Sequence, residues 1–211
     1  MVRGVPLLAN ASLSRRLTAE AIGSFFLFAG VLGSGIMAEN LAGGNDALAL
    51  LANTIATGAI LFVIIAMLGP ISGAHFNPAV TFAFALRREI SWGDSVLYVL
   101  VQIAAGAIGA WAVHLMFDLP ILQFSTKART GIGQWTGELV ATFGLLMTIL
   151  GLLKHRAEAI PMGVALYITA AYWFTSSTSF ANPAIAIVRS LSDTFAGIAP
   201  ADVPGFIAAQ M

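Results

Sequence analysis

Two asparagines, Asn77 and Asn182, each followed by Pro and Ala, stand 105 residues apart in a chain that is otherwise largely apolar. A carboxamide is neither a nucleophile nor an acid or base at neutral pH. Its chemistry is hydrogen bonding, through two N–H donors and one carbonyl acceptor. Asn is also a favoured helix cap, and Pro is tolerated at the first helical position, so Asn77-Pro78-Ala79 and Asn182-Pro183-Ala184 each read as a helix start. Two carboxylates, Glu20 in LTAEAIGSFFLFAG and Glu138 in WTGELVATFGLLMT, interrupt apolar runs. Such residues are functional candidates by default. Structural bracing is preferred to a proton relay, because neither has an obvious titratable partner nearby in sequence. His75 precedes the first triplet, and both ring packing against the adjoining loop and a gating or pH role remain open. The chain has no Cys, three scattered His and no clustered carboxylates. That leaves neither a metal site nor a catalytic triad, so no enzyme, cofactor or metal centre is expected.

The elements that must hold these residues are membrane spans. With 58% hydrophobic and 9% charged residues, the composition is that of a polytopic membrane protein. Ten Lys and Arg balance ten Asp and Glu, and no basic block occurs, which argues against nucleic acid as a partner. Five apolar spans are expected at about 17–38, 47–69, 94–117, 135–153 and 160–178. The segments after the triplets, Val80–Leu86 and Ile185–Leu191, allow only about two turns each, or roughly 15 Å against a ~30 Å hydrocarbon core. Two such half-helices meeting end to end would cross a bilayer together, with Asn caps and positive dipole ends facing each other near the midplane. Glu20 within the first apolar run, with no small-residue cleavage pattern at its end, favours an uncleaved anchor over a signal peptide. Arg3, Arg15, Arg16, Arg87, Arg88, Lys154 and Arg156 share one side if the spans alternate, against Lys127, Arg129 and Arg189 on the other. This puts the N-terminus in the cytoplasm, with the chain in the cell's inner membrane.

The pattern repeats. Each half runs span, span, Asn-Pro-Ala half-helix, span, with Glu20 and Glu138 near its start and Gln102 and Gln210 after its half-helix. One channel domain over 1–211, built from pseudo-repeats at about 15–117 and 133–211, follows. Three spans per repeat make an odd number of crossings, so the halves insert in opposite orientation. The first repeat continues about fifteen residues past Gln102, whereas the second stops one residue after Gln210, so a truncated sixth helix is expected.

These motifs, with the preceding SGAHFNPAV, resemble the aquaporin/aquaglyceroporin family, the major intrinsic proteins. The resemblance implies an all-α inverted repeat of three membrane helices plus one re-entrant half-helix per repeat. It also implies a pore in each protomer and a homotetramer in the lipid bilayer. In its terms Asn77 and Asn182 donate to permeating oxygens, while Glu20 and Glu138 accept from backbone N–H groups of the re-entrant loops. The constriction maps onto Thr57, Ala170, Ser179 and Ile185. Ile185 stands where water channels of the family carry Arg, which implies a wider, less polar filter. Arg189, four residues on, reads as an exit-side or loop-pairing charge. The segment FANPAIAIVRSLSDTFAGIAPADVPGFIAAQ is similar to bacterial aquaporins associated with arsenic resistance. Neutral trihydroxy-arsenic(III) or methylated arsenicals, glycerol-like polyols and water are then the expected permeants.

Selection in such a pore rests on size, hydrogen bonding and neutrality. Two helix N-termini, each worth roughly +0.5 charge, repel cations from mid-pore, and a neutral polyol meets no such barrier. The competing readings are a non-conducting membrane protein, as a truncated relic or structural component, and a coupled secondary transporter. The latter would require acidic residues facing the site, and Glu20 and Glu138 alone qualify.

Overall fold

The computed structural model describes residues 11–211; Arg3, counted above among the cytoplasmic charges, lies outside them. Among the described residues eight α-helices follow one another: α1 (Leu13–Leu41), α2 (Asp46–Ser72), α3 (Pro78–Leu86), α4 (Trp92–Met116), α5 (Ile132–His155), α6 (Ile160–Phe174), α7 (Pro183–Arg189) and α8 (Val203–Gln210). Four of them, α1, α2, α4 and α5, are long and apolar enough to cross a membrane. Side-chain caps start most of the first-half helices. Ser12, Asn45 and Ser91 each accept from the backbone N–H three residues on, satisfying donors that the helix itself cannot pair.

The long helices overrun the expected spans because hydropathy marks only the lipid-crossing part. Arg15 and Arg16 lie inside α1, and charged residues do not stop a helix. The fifth span is shorter than expected. Thr175 turns extended, ending α6 at Phe174, and residues 175–181 instead feed the loop before Asn182. The second half-helix also ends early, at Arg189 rather than Leu191.

Helix α1 packs on α2 and α4, α5 packs on α6 and α8, and α2 joins the halves through α6. Small residues permit the closest approach. A Cβ on Gly109 of α4 would come within 2.6 Å of the Phe25 carbonyl of α1, and one on Gly106 would strike the Phe28 ring. The outward faces carry large apolar side chains, among them Phe26, Val63, Leu100 and Phe143. Apolar residues inside and outside alike are what a lipid-embedded bundle requires. The chain is thus a multi-pass, all-α membrane protein. α4 has 25 residues and its counterpart α8 has eight.

Candidate pore

Helices α3 and α7 start where the two Asn-Pro-Ala triplets meet. Asn77 and Asn182 are extended at φ −157° and −158°, and each Oδ1 accepts from the N–H of the following Ala at 2.9 and 3.0 Å. Asn182 Oδ1 also accepts from Ile185 N–H at 3.3 Å. Pro78 and Pro183 sit at the first helical position, where no N–H is needed. Ala79 and Ala184 are fully packed behind them. The carboxamide nitrogens cross over: Asn77 Nδ2 donates to the Ala181 carbonyl at 2.7 Å, and Asn182 Nδ2 to the Phe76 carbonyl at 2.8 Å. One N–H of each amide is thereby committed to the opposite loop, and the second is left over.

The loops that deliver these asparagines are bent by non-glycine residues in the left-handed region. Ala74 and Phe76 (φ 51° and 48°) precede Asn77; Thr178, Ser179 and Ala181 (φ 61°, 49° and 48°) precede Asn182. Each costs about 1–2 kcal/mol and persists only where its surroundings hold it. The carboxylates do the holding. Glu20 Oε1 accepts from Ser72 Oγ at 2.7 Å and from His75 N–H at 3.0 Å; its Oε2 accepts from Phe76 N–H at 2.8 Å and Gln102 Nε2 at 2.9 Å. Glu138 does likewise, accepting from Phe180 N–H and Ala181 N–H at 2.8 Å each and from Gln210 Nε2 at 2.6 Å. Both carboxylates are wholly buried.

A cavity of about 690 Å³ runs along these loops. Asn77, Asn182, Thr57, His75, Ser179 and Ile185 line it, with aliphatic side chains such as Val31, Leu61, Leu145 and Val164. His75 Nδ1 lies 3.1 Å from Thr81 Oγ1, and its ring packs on Phe84 and Tyr98, at 4.8 and 5.4 Å between centroids. Ser179 Oγ is buried without a protein hydrogen-bond partner. Arg87 and Glu89 stand at one end of the cavity wall and Arg189 lies along the α7 side.

Ala170, expected at the constriction, does not reach it. It is exposed on the outer face of α6 and does not line the cavity. The inward phase of this helix runs Val164, Ile168, Tyr172, and position 170 is turned about 200° from position 168 at 100° per residue. Tyr172 occupies the wall instead, its hydroxyl 3.3 Å from Thr57 Oγ1. The shortened α6 shifts the register, and the four-residue spacing of Val164 and Ile168 was the available signal for Tyr172. Arg189, an exit-side or loop-pairing charge by sequence, does donate from Nε to the Ala196 carbonyl of the following loop, yet it also lines the cavity. Its sequence signal was an Arg within an apolar half-helix. Asp193, four residues on, is not its partner, because that carboxylate accepts from Thr126.

The family model for the major intrinsic protein matches residues 8–199. The chain belongs to the major intrinsic protein family. Members of this family are channels rather than enzymes. The chain is 57% identical over 199 residues to Aquaglyceroporin AqpS of Rhizobium meliloti (strain 1021), covering 94% of this chain and 85% of that protein. It is 32% identical to the probable aquaporin NIP4-2 of Arabidopsis thaliana over 74% of its own length and 56% of the plant protein. Among solved structures, the aquaglyceroporin from Plasmodium falciparum superposes with a TM-score of 0.73 at 20% identity, over 95% of this chain and 90% of that one. That likeness shows the fold, an all-α bundle of the aquaglyceroporin kind.

Proposed function

We propose that this major intrinsic protein is a passive channel for water and small neutral solutes, glycerol-like polyols and trihydroxy-arsenic(III) or methylated arsenicals among them. The carrying observation is the pair of crossed amides. Each asparagine spends one N–H on the opposite loop and keeps another in a residue that lines the cavity. Two fixed donors at the centre of an apolar tube suit a hydroxyl oxygen passing in single file. Thr57, Tyr172 and Ser179 add hydroxyl groups to the cavity wall, and Ile185 adds an aliphatic face. A solute with hydroxyls on one edge and carbon, or an arsenic lone pair, on the other matches that wall better than water alone does. The name of the 57% identical relative, an aquaglyceroporin, supports the same class. Glu20 and Glu138 act as braces in this reading, since every oxygen is occupied by donors from the loops and by Gln102 or Gln210. The N-terminus faces the cytoplasm of the inner membrane, and four copies assemble as a homotetramer with a pore in each.

Stopped-flow light scattering on proteoliposomes, challenged with glycerol or arsenous acid, tests the reading. Shrinkage followed by re-swelling faster than in empty liposomes is expected. Traces that coincide with those of empty liposomes would sink it.

A further inference from the structure

We propose that Arg189 supplies the charge filter of this pore, reaching back from one turn beyond Ile185 to the constriction. The proposal rests on the channel reading above and names the residue that rejects cations there. Arg189 is the last residue of α7, yet only 2% of it is exposed. It lines the same cavity as Thr57, Tyr172, Ser179 and Ile185. Its guanidinium carbon lies 3.4 Å from the ring centroid of Phe180, two residues before Asn182. Helical side chains lean toward the helix N-terminus, and the Phe180 stack draws this one further that way. The charge therefore sits over the turn that contains Ile185, not at the exit.

No carboxylate among the described residues forms an ion pair with it. The ion pairs among the described residues are Arg16–Asp94, Arg87–Glu89 and Arg156–Glu158. Arg189 is held by the Ala196 carbonyl, and its neighbour on the same ring, Arg129, by the Gly197 carbonyl at 2.8 Å. Lys127 Nζ donates to the Phe195 carbonyl at 2.9 Å. The nearby carboxylates serve other donors: Glu138 takes Phe180, Ala181 and Gln210, Asp193 takes Thr126, and Asp202 takes the backbone N–H of Arg129. Carbonyl dipoles orient a guanidinium without cancelling its charge. A buried positive charge without an ion-pair partner, in the wall of an apolar cavity, opposes any cation that has shed water to enter.

The experiment compares urea with guanidinium, planar solutes of similar size that differ in charge, in proteoliposomes of the full chain. The unmodified protein is expected to pass urea and to hold guanidinium near the rate of empty liposomes. Arg189→Met should raise the guanidinium-to-urea flux ratio at least about tenfold, and Arg189→Lys, which keeps the charge, should not. If unmodified protein passes urea and folded Arg189→Met leaves the ratio unchanged, this proposal falls and the channel reading stands. If unmodified protein passes neither urea nor glycerol, the channel reading falls and takes this one with it. Should Arg189→Met fail to assemble, the unmodified protein still decides the matter through the arginine reagent phenylglyoxal. Labelling of Arg189, read by peptide mass and slowed by isotonic urea, is expected. No labelling, or labelling indifferent to urea, would overturn the assignment.

Discussion

The two halves of this bundle build the same scaffold and put different charges on it. On each side a buried glutamate pins two consecutive backbone N–H groups of a re-entrant loop, and a glutamine from the last helix of that half completes the site. The asparagine that follows donates across to the other loop. Around this common frame the flanks diverge. In the first half Arg16 is paired with Asp94 and Arg87 with Glu89, each at 2.6 Å. In the second half Lys127, Arg129 and Arg189 rest on carbonyl oxygens. The position held by His75 before one triplet is held by Phe180 before the other, and Phe180 carries the two guanidiniums. The two halves thus share what holds the backbone and differ in the charges placed around it.

The largest expected effect tests the shared part. Replacing either glutamate by Ala leaves two buried backbone N–H groups without acceptors, at about 1–3 kcal/mol each, so both variants should lose several kcal/mol. Glu20→Ala should suffer more than Glu138→Ala, because Glu20 also accepts from Ser72 Oγ. Thermal unfolding in detergent, followed by monodispersity, reads the order. Variants as stable as the parent would mean the loops hold their left-handed residues without help, and the shared frame would lose its explanation.

Much of this frame was legible in the sequence. The triplets, the paired glutamates, Gln102 and Gln210 are short-range signals, each tied to a local physical need: a cap, a proline-tolerant first turn, an acceptor for strained backbone. What escaped was set by phase and by long-range packing. The resemblance points to Ala170 only if the loop before Asn182 keeps the family's length, whereas α6 ends at Phe174 and brings Tyr172 inward. Arg189 was legible as a charge and not as a wall residue, since its direction depends on Phe180 and on the Ala196 carbonyl beyond α7. The crossed amides link residues about a hundred positions apart, and no local pattern contains them.

A second substitution sharpens the difference between the flanks. Ile185 contributes an aliphatic face one turn nearer the asparagines than Arg189, and both line the cavity. Ile185→Arg would place a second cation and a bulky fork in the same stretch of wall. Glycerol flux is expected to fall relative to water, raising the water-to-glycerol flux ratio about tenfold, because a narrower polar opening still admits the smaller molecule. Paired osmotic and solute-gradient measurements on one proteoliposome preparation give this ratio directly. A ratio that does not move would remove Ile185 from the filter and leave Tyr172 and Thr57 as the constricting pair.

The smallest effect is expected at the opposite mouth, and its smallness is the point. Arg87 also lines the cavity, but its side chain is 48% exposed and paired with Glu89. An exposed pair of this kind is worth about 0–1 kcal/mol and is screened by salt within a Debye length of roughly 8–10 Å. Arg87→Gln should therefore shift the guanidinium-to-urea ratio by less than about twofold, with any shift shrinking as salt rises. The same assay at low and physiological ionic strength distinguishes the two ends. A large, salt-insensitive change at Arg87 would place a charge barrier at both mouths, and the electrostatic asymmetry of the halves would cease to account for selectivity.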